Sequence, residues 1–218
     1  VGHTTTPFVT AYPWSASGFG TKFANPGTLP ANTGFGVAFT AADNAIAVAH
    51  ATTPFVSTYP WSGSGFGTKF TNPGTLPAGE GSGVAFTAAG DAIAVAHVTT
   101  PFITAYPWSV LGFGTKFTNP GTLPASTATG VAFTPSGDAI AVSHASSPRI
   151  SVYPWSGSGF GTKFANPATL PNGTGYSVAF SPSGNAIAVG HLSSPGISAY
   201  PWSNSGFGTK FANPATLP

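Results

Sequence analysis

Every part of this sequence follows a repeat of 47 residues, which runs without insertion or deletion. Three residue types mark the interval: Trp14, Trp61, Trp108, Trp155 and Trp202; His3, His50, His97, His144 and His191; and Lys22, Lys69, Lys116, Lys163 and Lys210. A repeat of this length indicates a supersecondary unit that buries its apolar faces against its neighbours. We therefore expect one array of equivalent units.

One unit, residues 130–171, divides into four predicted strands separated by turn residues. The strands cover residues 131–133, 139–144, 149–153 and 162–164. Ser, Gly, Pro and Asp between them supply the backbone conformations that turns need. Each unit is therefore predicted to form a small four-stranded sheet.

The second predicted strand is apolar in both alternating series, so we expect it to be buried on both faces between stacked sheets. Pro154 is expected to end the third strand or to place it at an edge, because proline cannot donate a ladder hydrogen bond. Lys163 is expected to protect the outer edge of the fourth strand against pairing with another sheet.

Four strands in a period of about 40 to 50 residues are typical of a β-propeller blade. The predicted fold class is therefore all-β, a β-propeller of about five four-stranded blades in which residues 1–218 form one domain. A helical solenoid is excluded, since no segment has apolar residues at the helical period. A β-solenoid stays open as an alternative, although its coils are usually shorter.

The segments VAFTPSGDAIAVSH and VAFSPSGNAIAVGH, which begin at Val131 and Val178, resemble the first hairpin of WD40-like and related bacterial β-propeller repeats. The defining WD40 marks are missing, because Tyr-Pro-Trp stands where Trp-Asp would end a strand and no Gly-His pair precedes the first strand. The WD40 hydrogen-bond tetrad is therefore not carried over. The YPWS and GFGTKF segments are similar to segments of uncharacterised bacterial and phage proteins, which implies a virion or cell-surface setting.

The first repeat is shorter than the others. The predicted blades cover residues 1–30 in part, and residues 36–77, 83–124, 130–171 and 177–218 in full. The first blade lacks the equivalent of residues 31–47, which would leave unpaired backbone groups at the seam of a ring. We expect residues beyond this sequence, a larger ring or a second copy of the chain to fill this gap, and we favour a stretch of a longer repeat protein.

The composition argues against several classes of partner. Charged residues make up 5% of the chain, the net charge is +2, and five of the six basic residues lie one per repeat. Phosphate backbones are bound by clustered Lys and Arg, so we predict no nucleic-acid partner. No apolar run approaches ~18 residues, so we predict no membrane insertion. Without cysteine, neither disulfides nor thiolate metal sites hold the fold.

The repeated histidines are candidates for metal binding or catalysis. Copies on successive blades diverge, and no second histidine or carboxylate recurs near them, so we predict no metal site, no cofactor and no catalytic residue. We expect each histidine instead to bond a backbone group of its own or the next blade. Asp43, Asp91 and Asp138 share one turn with Asn185, which is ordinary turn chemistry.

The aromatic residues are the richest candidates for a binding role. Most should pack between blades, but each tryptophan follows a proline and precedes Ser-Gly-rich sequence, so a partly exposed indole could stack on a sugar. Together with the asparagine and lysine that follow, it would form one small amphipathic pocket per blade. The candidate ligand-binding residues are Trp14, Trp61, Trp108, Trp155, Trp202, Asn25, Asn72, Asn119, Asn166 and Asn213.

These patterns favour a non-enzymatic binding or display module that contacts a carbohydrate or a surface protein at equivalent sites on successive blades. Multivalent presentation would strengthen weak individual contacts. The alternative is a purely structural repeat protein, such as a virion or cell-surface component or an incomplete or engineered propeller. An extracellular or virion-surface location and a homo-oligomer are the corresponding expectations.

Overall fold

The computed structural model describes residues 1–216 as a succession of small antiparallel β-sheets, and within these residues there is no helix. Consequently, no described segment is a long apolar helix of the kind that crosses a membrane. Leu217 and Pro218, the end of the last predicted blade, lie outside the described residues. The all-β class is confirmed, and so is the tandem arrangement of four-stranded sheets.

The sheets follow the repeat, and we number the repeats 1 to 5 as residues 1–33, 34–80, 81–127, 128–174 and 175–216. Repeat 1 contains only a two-stranded sheet and an isolated bridge between Gly2 and Val9. Each later repeat forms one four-stranded sheet with its strands in chain order. The strands are β1 (Trp14–Ser15) and β2 (Gly18–Phe19); β3 (Gly34–Phe39), β4 (Ala45–His50), β5 (Val56–Ser62) and β6 (Gly65–Phe66); β7 (Gly81–Phe86), β8 (Ala92–His97), β9 (Ile103–Ser109) and β10 (Gly112–Phe113); β11 (Ala128–Phe133), β12 (Ala139–His144), β13 (Ile150–Ser156) and β14 (Gly159–Phe160); β15 (Gly175–Phe180), β16 (Ala186–His191), β17 (Ile197–Ser203) and β18 (Gly206–Phe207).

The predicted second strand is confirmed residue for residue, and β12 is buried along its whole length. The turn before it is also as predicted, with Gly137 at a φ of 71° that glycine adopts without steric cost. The hydroxyl of Thr134 accepts hydrogen bonds from the amides of Asp138 and Ala139, which closes the turn. Short-range turn chemistry therefore fixes the first hairpin of each complete repeat.

Two strand boundaries were predicted wrongly. The fourth strand is β14, not residues 162–164, so Lys163 follows the strand and does not protect its edge. A single backbone bond, from the Phe164 amide to the Val152 carbonyl, holds the later segment beside β13. Pro154 does not end β13, because its carbonyl accepts a hydrogen bond from Gly161 and the strand continues to Ser156.

Successive sheets pack face to face, and we call the side toward the next repeat the forward face and the opposite side the rear face. Between repeats 4 and 5 the forward face supplies Ala141 and Ile150, and the rear face supplies Ile187, Val189 and Tyr200. Equivalent residues fill the interfaces between repeats 2 and 3 and between repeats 3 and 4. A sheet with both faces covered explains why the second strand lacks a polar side.

Glycines allow the first strands to approach one another closely. A Cβ atom on Gly36 would lie 2.8 Å from the Cα of Gly83, and one on Gly83 would lie 3.1 Å from the Cα of Gly130. The next position in this row is Ser177, whose Cα is 3.4 Å from the Cβ that Gly130 would carry. The first strands of repeats 2 to 5 are therefore closely spaced.

Candidate functional site

The tryptophans join neighbouring repeats through edge-to-face aromatic contacts. Trp155 packs on Phe117 of repeat 3 and on Phe133 and Phe160 of its own repeat, with ring centroids 5.0 to 5.2 Å apart. Such pairs add to the stabilisation that comes from buried area. The same three contacts, at 5.1 to 5.5 Å, surround Trp61, Trp108 and Trp202. Each of these indoles is thus part of an interface between sheets.

The expectation of a partly exposed indole in a loop of every repeat does not hold. Trp108, Trp155 and Trp202 are 5 to 8% exposed and lie inside the third strand of their sheets, each packed against a complete four-stranded sheet of the preceding repeat. Trp61, which packs on the two-stranded repeat 1, is half-buried, and Trp14 within repeat 1 is 73% exposed. Only Trp14 and Trp61 therefore offer a ligand much of the indole surface.

The five candidate asparagines are exposed, and each accepts a hydrogen bond from the lysine three residues earlier. The Nζ of Lys116 lies 2.5 Å from the Oδ1 of Asn119 and also donates to the Phe117 carbonyl. Asn25, Asn72, Asn166 and Asn213 make the equivalent bond. Lys163 lines a shallow groove with Gly121 and Gly161, and the lining of this groove includes neither a tryptophan nor an asparagine.

Buried tyrosines bind the loop of the preceding repeat. The hydroxyl of Tyr106 donates to the carbonyl of Thr75 at 2.7 Å, and that of Tyr153 donates to the carbonyl of Thr122 at 2.9 Å. Burial raises the pKa of Tyr153 to about 12, so this side chain stays a neutral donor at all physiological pH values. These bonds fix each loop to the next sheet.

The histidines bond hydroxyl groups inside the sheets. The Nε2 of His144 lies 3.1 Å from the Ser151 hydroxyl on β13, and its Nδ1 lies 2.9 Å from the Ser146 carbonyl. Since only a protonated Nδ1 can donate to that carbonyl, Nε2 accepts the hydrogen bond from Ser151. The Nε2 atoms of His50, His97 and His191 lie 2.9 to 3.0 Å from Ser57, Thr104 and Ser198.

Burial keeps the imidazoles of His50, His97 and His144 neutral by lowering their pKa to about 4. The predicted backbone bond is present at His144, but the partner that recurs is a hydroxyl seven residues later. The sequence carried a signal for it, because Ser or Thr stands at that position in every repeat. Residues 1–216 contain no group of three or more His, Cys, Asp or Glu arranged to hold a metal ion.

Two equivalent clefts open between sheets beside the tryptophans. One, of about 380 Å³, lies between repeats 1 and 2 and is lined by Trp14, Phe23, Trp61 and Ser62, among others. The other, of about 540 Å³, lies between repeats 2 and 3 and is lined by residues that include Phe70, Trp108 and Ser109, each 47 positions after its counterpart. The same aromatic positions of the repeat thus line a cleft at both of these interfaces.

The larger cleft has a polar rim. The Thr40 hydroxyl donates to the Oδ1 of Asn44 at 2.7 Å, and both residues face Ser109 and Val110 of the next repeat across the opening. Between repeats 4 and 5 the position equivalent to Val110 is Asn204. There burial acts to raise the pKa of Asp138, but hydrogen bonds, including one from Asn204, outweigh it and hold the pKa below its ordinary value. The residue at this position of the repeat therefore differs between repeats, whereas the tryptophan does not.

Comparison of the chain with models of known protein families finds no match, and neither does comparison with curated proteins. The repeated geometry described above therefore carries the functional argument.

Proposed function

We propose that this chain is a non-enzymatic protein of the β-propeller type that binds a neutral carbohydrate in equivalent clefts between successive sheets. The propeller architecture is supported by the face-to-face packing of successive four-stranded sheets. It is supported further by the close approach of the first strands at Gly36, Gly83 and Gly130, since the innermost strands of a propeller converge on its axis.

The observation that carries the binding proposal is the recurrence of one cleft at an interval of 47 residues. Its aromatic wall suits the apolar face of a sugar ring, and the exposed Asn44 and Ser109 offer amide and hydroxyl groups to sugar hydroxyls. The low charge of the chain favours an uncharged ligand. Of the tryptophans predicted to bind, Trp14 and Trp61 line the first cleft and Trp108 lines the second.

The histidines support a role without catalysis. Their Nε2 atoms are engaged with buried hydroxyls, and His50, His97 and His144 have no exposed surface from which to contact a substrate. General acid–base catalysis requires the group to reach the reacting proton. The proposed function therefore has no chemical step.

A purely structural role is the second candidate, and a specific observation favours it. Trp108, Trp155 and Trp202 are buried between sheets, so most of the aromatic pattern is explained by packing alone. In that case the clefts are gaps in the packing and bind nothing.

A glycan array distinguishes the two functions when it is probed with the wild-type chain and with a Gly63→Glu, Val110→Glu double variant. Both positions line the clefts. A Cβ atom at Gly63 would meet no heavy atom within 4 Å and Val110 is 79% exposed, so we expect the folded chain to accommodate both changes. The matched control is Gly27→Glu with Leu111→Glu, which adds the same charge at open positions that do not line these clefts.

We expect binding by the wild type and the control and at least a ten-fold loss in the cleft variant, or about 1.4 kcal/mol. Absence of binding to every glycan, or equal binding by all three proteins, would reject the carbohydrate site and leave the structural role.

A further inference from the structure

The turn after the first strand carries a polar side chain whose chemistry differs between repeats. The residue is Asn44 in repeat 2, Asp91 in repeat 3 and Asp138 in repeat 4. In each of these repeats a threonine hydroxyl donates a hydrogen bond to its Oδ1, at 2.6 to 2.7 Å. The three side chains are therefore held in the same way, and they differ only in the second terminal atom.

The hydrogen bonds of Thr40 determine which way the side-chain amide of Asn44 is turned. The Thr40 hydroxyl oxygen accepts hydrogen bonds from the backbone amides of Asn44 and Ala45, at 3.2 and 3.1 Å. Its own hydrogen is left to donate, and the nearest acceptor is the side-chain oxygen of Asn44, 2.7 Å away. Since Oδ1 faces Thr40, the Nδ2 group with its two donors is the part of Asn44 that a ligand in the cleft can reach.

The same position offers the opposite chemistry in repeats 3 and 4. There the second terminal atom is the Oδ2 of an aspartate, and an ionised carboxylate only accepts hydrogen bonds. A ligand carbonyl can accept a hydrogen bond from Nδ2 of Asn44, whereas beside Asp91 or Asp138 it would meet a second acceptor. The cleft between repeats 2 and 3, which Asn44 lines, thus suits a ligand group that accepts a hydrogen bond.

Val110 adds an apolar surface to this cleft, across the opening from Asn44. It lies in the hairpin between β9 and β10 and is 79% exposed. A ligand methyl group that covers this side chain removes apolar surface from water, which favours binding. At the equivalent position the other repeats have Ala16, Gly63, Gly157 and Asn204. Of the five repeats, only repeat 3 has a branched apolar side chain at this position.

We propose that the cleft between repeats 2 and 3 recognises an acetylated sugar, whose acetyl carbonyl accepts a hydrogen bond from Nδ2 of Asn44 while its methyl group packs on Val110. The inference rests on the carbohydrate-binding function proposed above and names the substituent that this cleft selects. An acetyl group combines one acceptor with one methyl group, and it is uncharged like the residues that line the cleft. The aromatic wall of Phe70 and Trp108 then contacts the sugar ring.

Isothermal titration calorimetry with matched pairs of sugars tests the proposal. N-acetyl and O-acetyl sugars share the required chemistry, so both kinds are compared with the same sugar without its acetyl group. The pairs are N-acetylglucosamine and glucose, N-acetylgalactosamine and galactose, and O-acetylated xylo-oligosaccharides before and after removal of the acetyl groups by alkali. We expect the acetylated member of at least one pair to bind about ten-fold more tightly, because its counterpart leaves the Asn44 donor without a partner in the dry part of the cleft.

Asn44→Asp should remove this preference. Aspartate keeps the hydrogen bond from the threonine, as it does in repeats 3 and 4, but it replaces the donor with an acceptor. Asn185→Asp is the matched control, because it makes the same change at the same position of repeat 5, where the Ser181 hydroxyl donates to the side-chain oxygen. Asn185 does not line this cleft, so the control should keep the preference of the wild type.

Val110→Gly tests the apolar half of the site. Glycine is the residue at this position in repeats 2 and 4, so the hairpin accommodates the change. The variant should bind the preferred acetylated sugar about three-fold more weakly, because the methyl group loses its contact. Urea unfolding of all three variants checks that the fold is retained.

The outcomes separate this inference from the function on which it rests. Equal affinity for the two members of every pair would overturn the inference while the glycan array still shows carbohydrate binding. A preference that survives Asn44→Asp, or one that Asn185→Asp removes as well, would also overturn it. If the wild type binds no glycan on the array, the carbohydrate-binding function is rejected and the inference falls with it.

Discussion

Phe70 and Trp108 belong to successive repeats, and their ring centroids lie 5.2 Å apart with the ring planes at 83°. The relationship recurs between Phe117 and Trp155 and between Phe164 and Trp202. Because one ring comes from each repeat, the tryptophan stabilises the contact between sheets as well as the sheet that contains it.

Trp155→Ala should lower the free energy of unfolding by about 3 to 5 kcal/mol, because it removes a large side chain that is 8% exposed and packed on three phenylalanines. Trp14→Ala removes the same side chain where it is 73% exposed and should cost about 0.5 kcal/mol or less in the monomer. Urea unfolding at low protein concentration measures both values. Similar losses in the two variants would contradict the described burial.

Gly36→Ala should lower the free energy of unfolding by about 1 to 3 kcal/mol, since its Cβ would lie 2.8 Å from the Cα of Gly83 and the first strands would have to separate. Gly63→Ala is the control, because no heavy atom lies within 4 Å of its Cβ position. Thermal and urea unfolding of the two variants provide the comparison. If Gly36→Ala is as stable as the control, the first strands are not closely spaced.

Tyr106→Phe should lower the free energy of unfolding by about 1 kcal/mol. The change removes the hydrogen bond to the Thr75 carbonyl and leaves that acceptor without its partner from the next repeat. Tyr12 is the equivalent residue of repeat 1 and is 41% exposed, so Tyr12→Phe should leave the stability unchanged. Equilibrium unfolding in urea measures the difference. A neutral effect at both positions would mean that the loop bond contributes nothing.

Stability should fall as the pH decreases from 6.5 toward 4. The pKa of His50, His97 and His144 is about 4 in the folded chain, and their ordinary value of 6.5 applies when it is unfolded. Between these pH values the unfolded chain binds more protons than the folded chain. The contribution of the neutral histidines to stability is therefore fully present above pH 6.5 and is lost as the pH falls. The carboxyl group of Asp138 does not account for this fall in stability, because its pKa lies below its ordinary value of 3.8.

Urea unfolding at several pH values between 7.5 and 4.5 measures this slope. His97→Asn should reduce the slope by about a third, because one of three titrating groups is removed, whatever its effect on the absolute stability. A free energy of unfolding that stays constant between pH 7.5 and 4.5 would show that these imidazoles take up protons as readily in the folded chain as in the unfolded chain.

The repeat and the first hairpin could be predicted because they depend on residues close in sequence. The alternation in Ala139–His144 and the glycine at Gly137 specify a buried strand and the turn before it locally. The fourth strand was misplaced because residues 162–164 have strand-forming composition, yet the hairpin after Trp155 pairs Phe160 with the tryptophan first. Strand propensity was overruled by that tertiary pairing.

The exposure of the tryptophans could not be read from the sequence. Whether an indole is buried depends on the sheet of the preceding repeat, which supplies a phenylalanine such as Phe117 for Trp155, and the spacing of letters within one repeat does not reveal that packing. The clefts were beyond prediction for the same reason, since Asn44 and Val110 meet only once two sheets are stacked. The hydroxyl partners of the histidines, in contrast, recur visibly and were overlooked.

The sharing of each aromatic cluster between two repeats restricts how the length of such a chain can change. A duplication or loss of one whole 47-residue unit, wherever its boundaries fall, restores every Phe–Trp contact in the same geometry. An insertion within a strand, in contrast, shifts the residues that follow it to the other face of the sheet and separates the two rings. Whole units are therefore a step by which this array can grow or shrink without loss of these contacts.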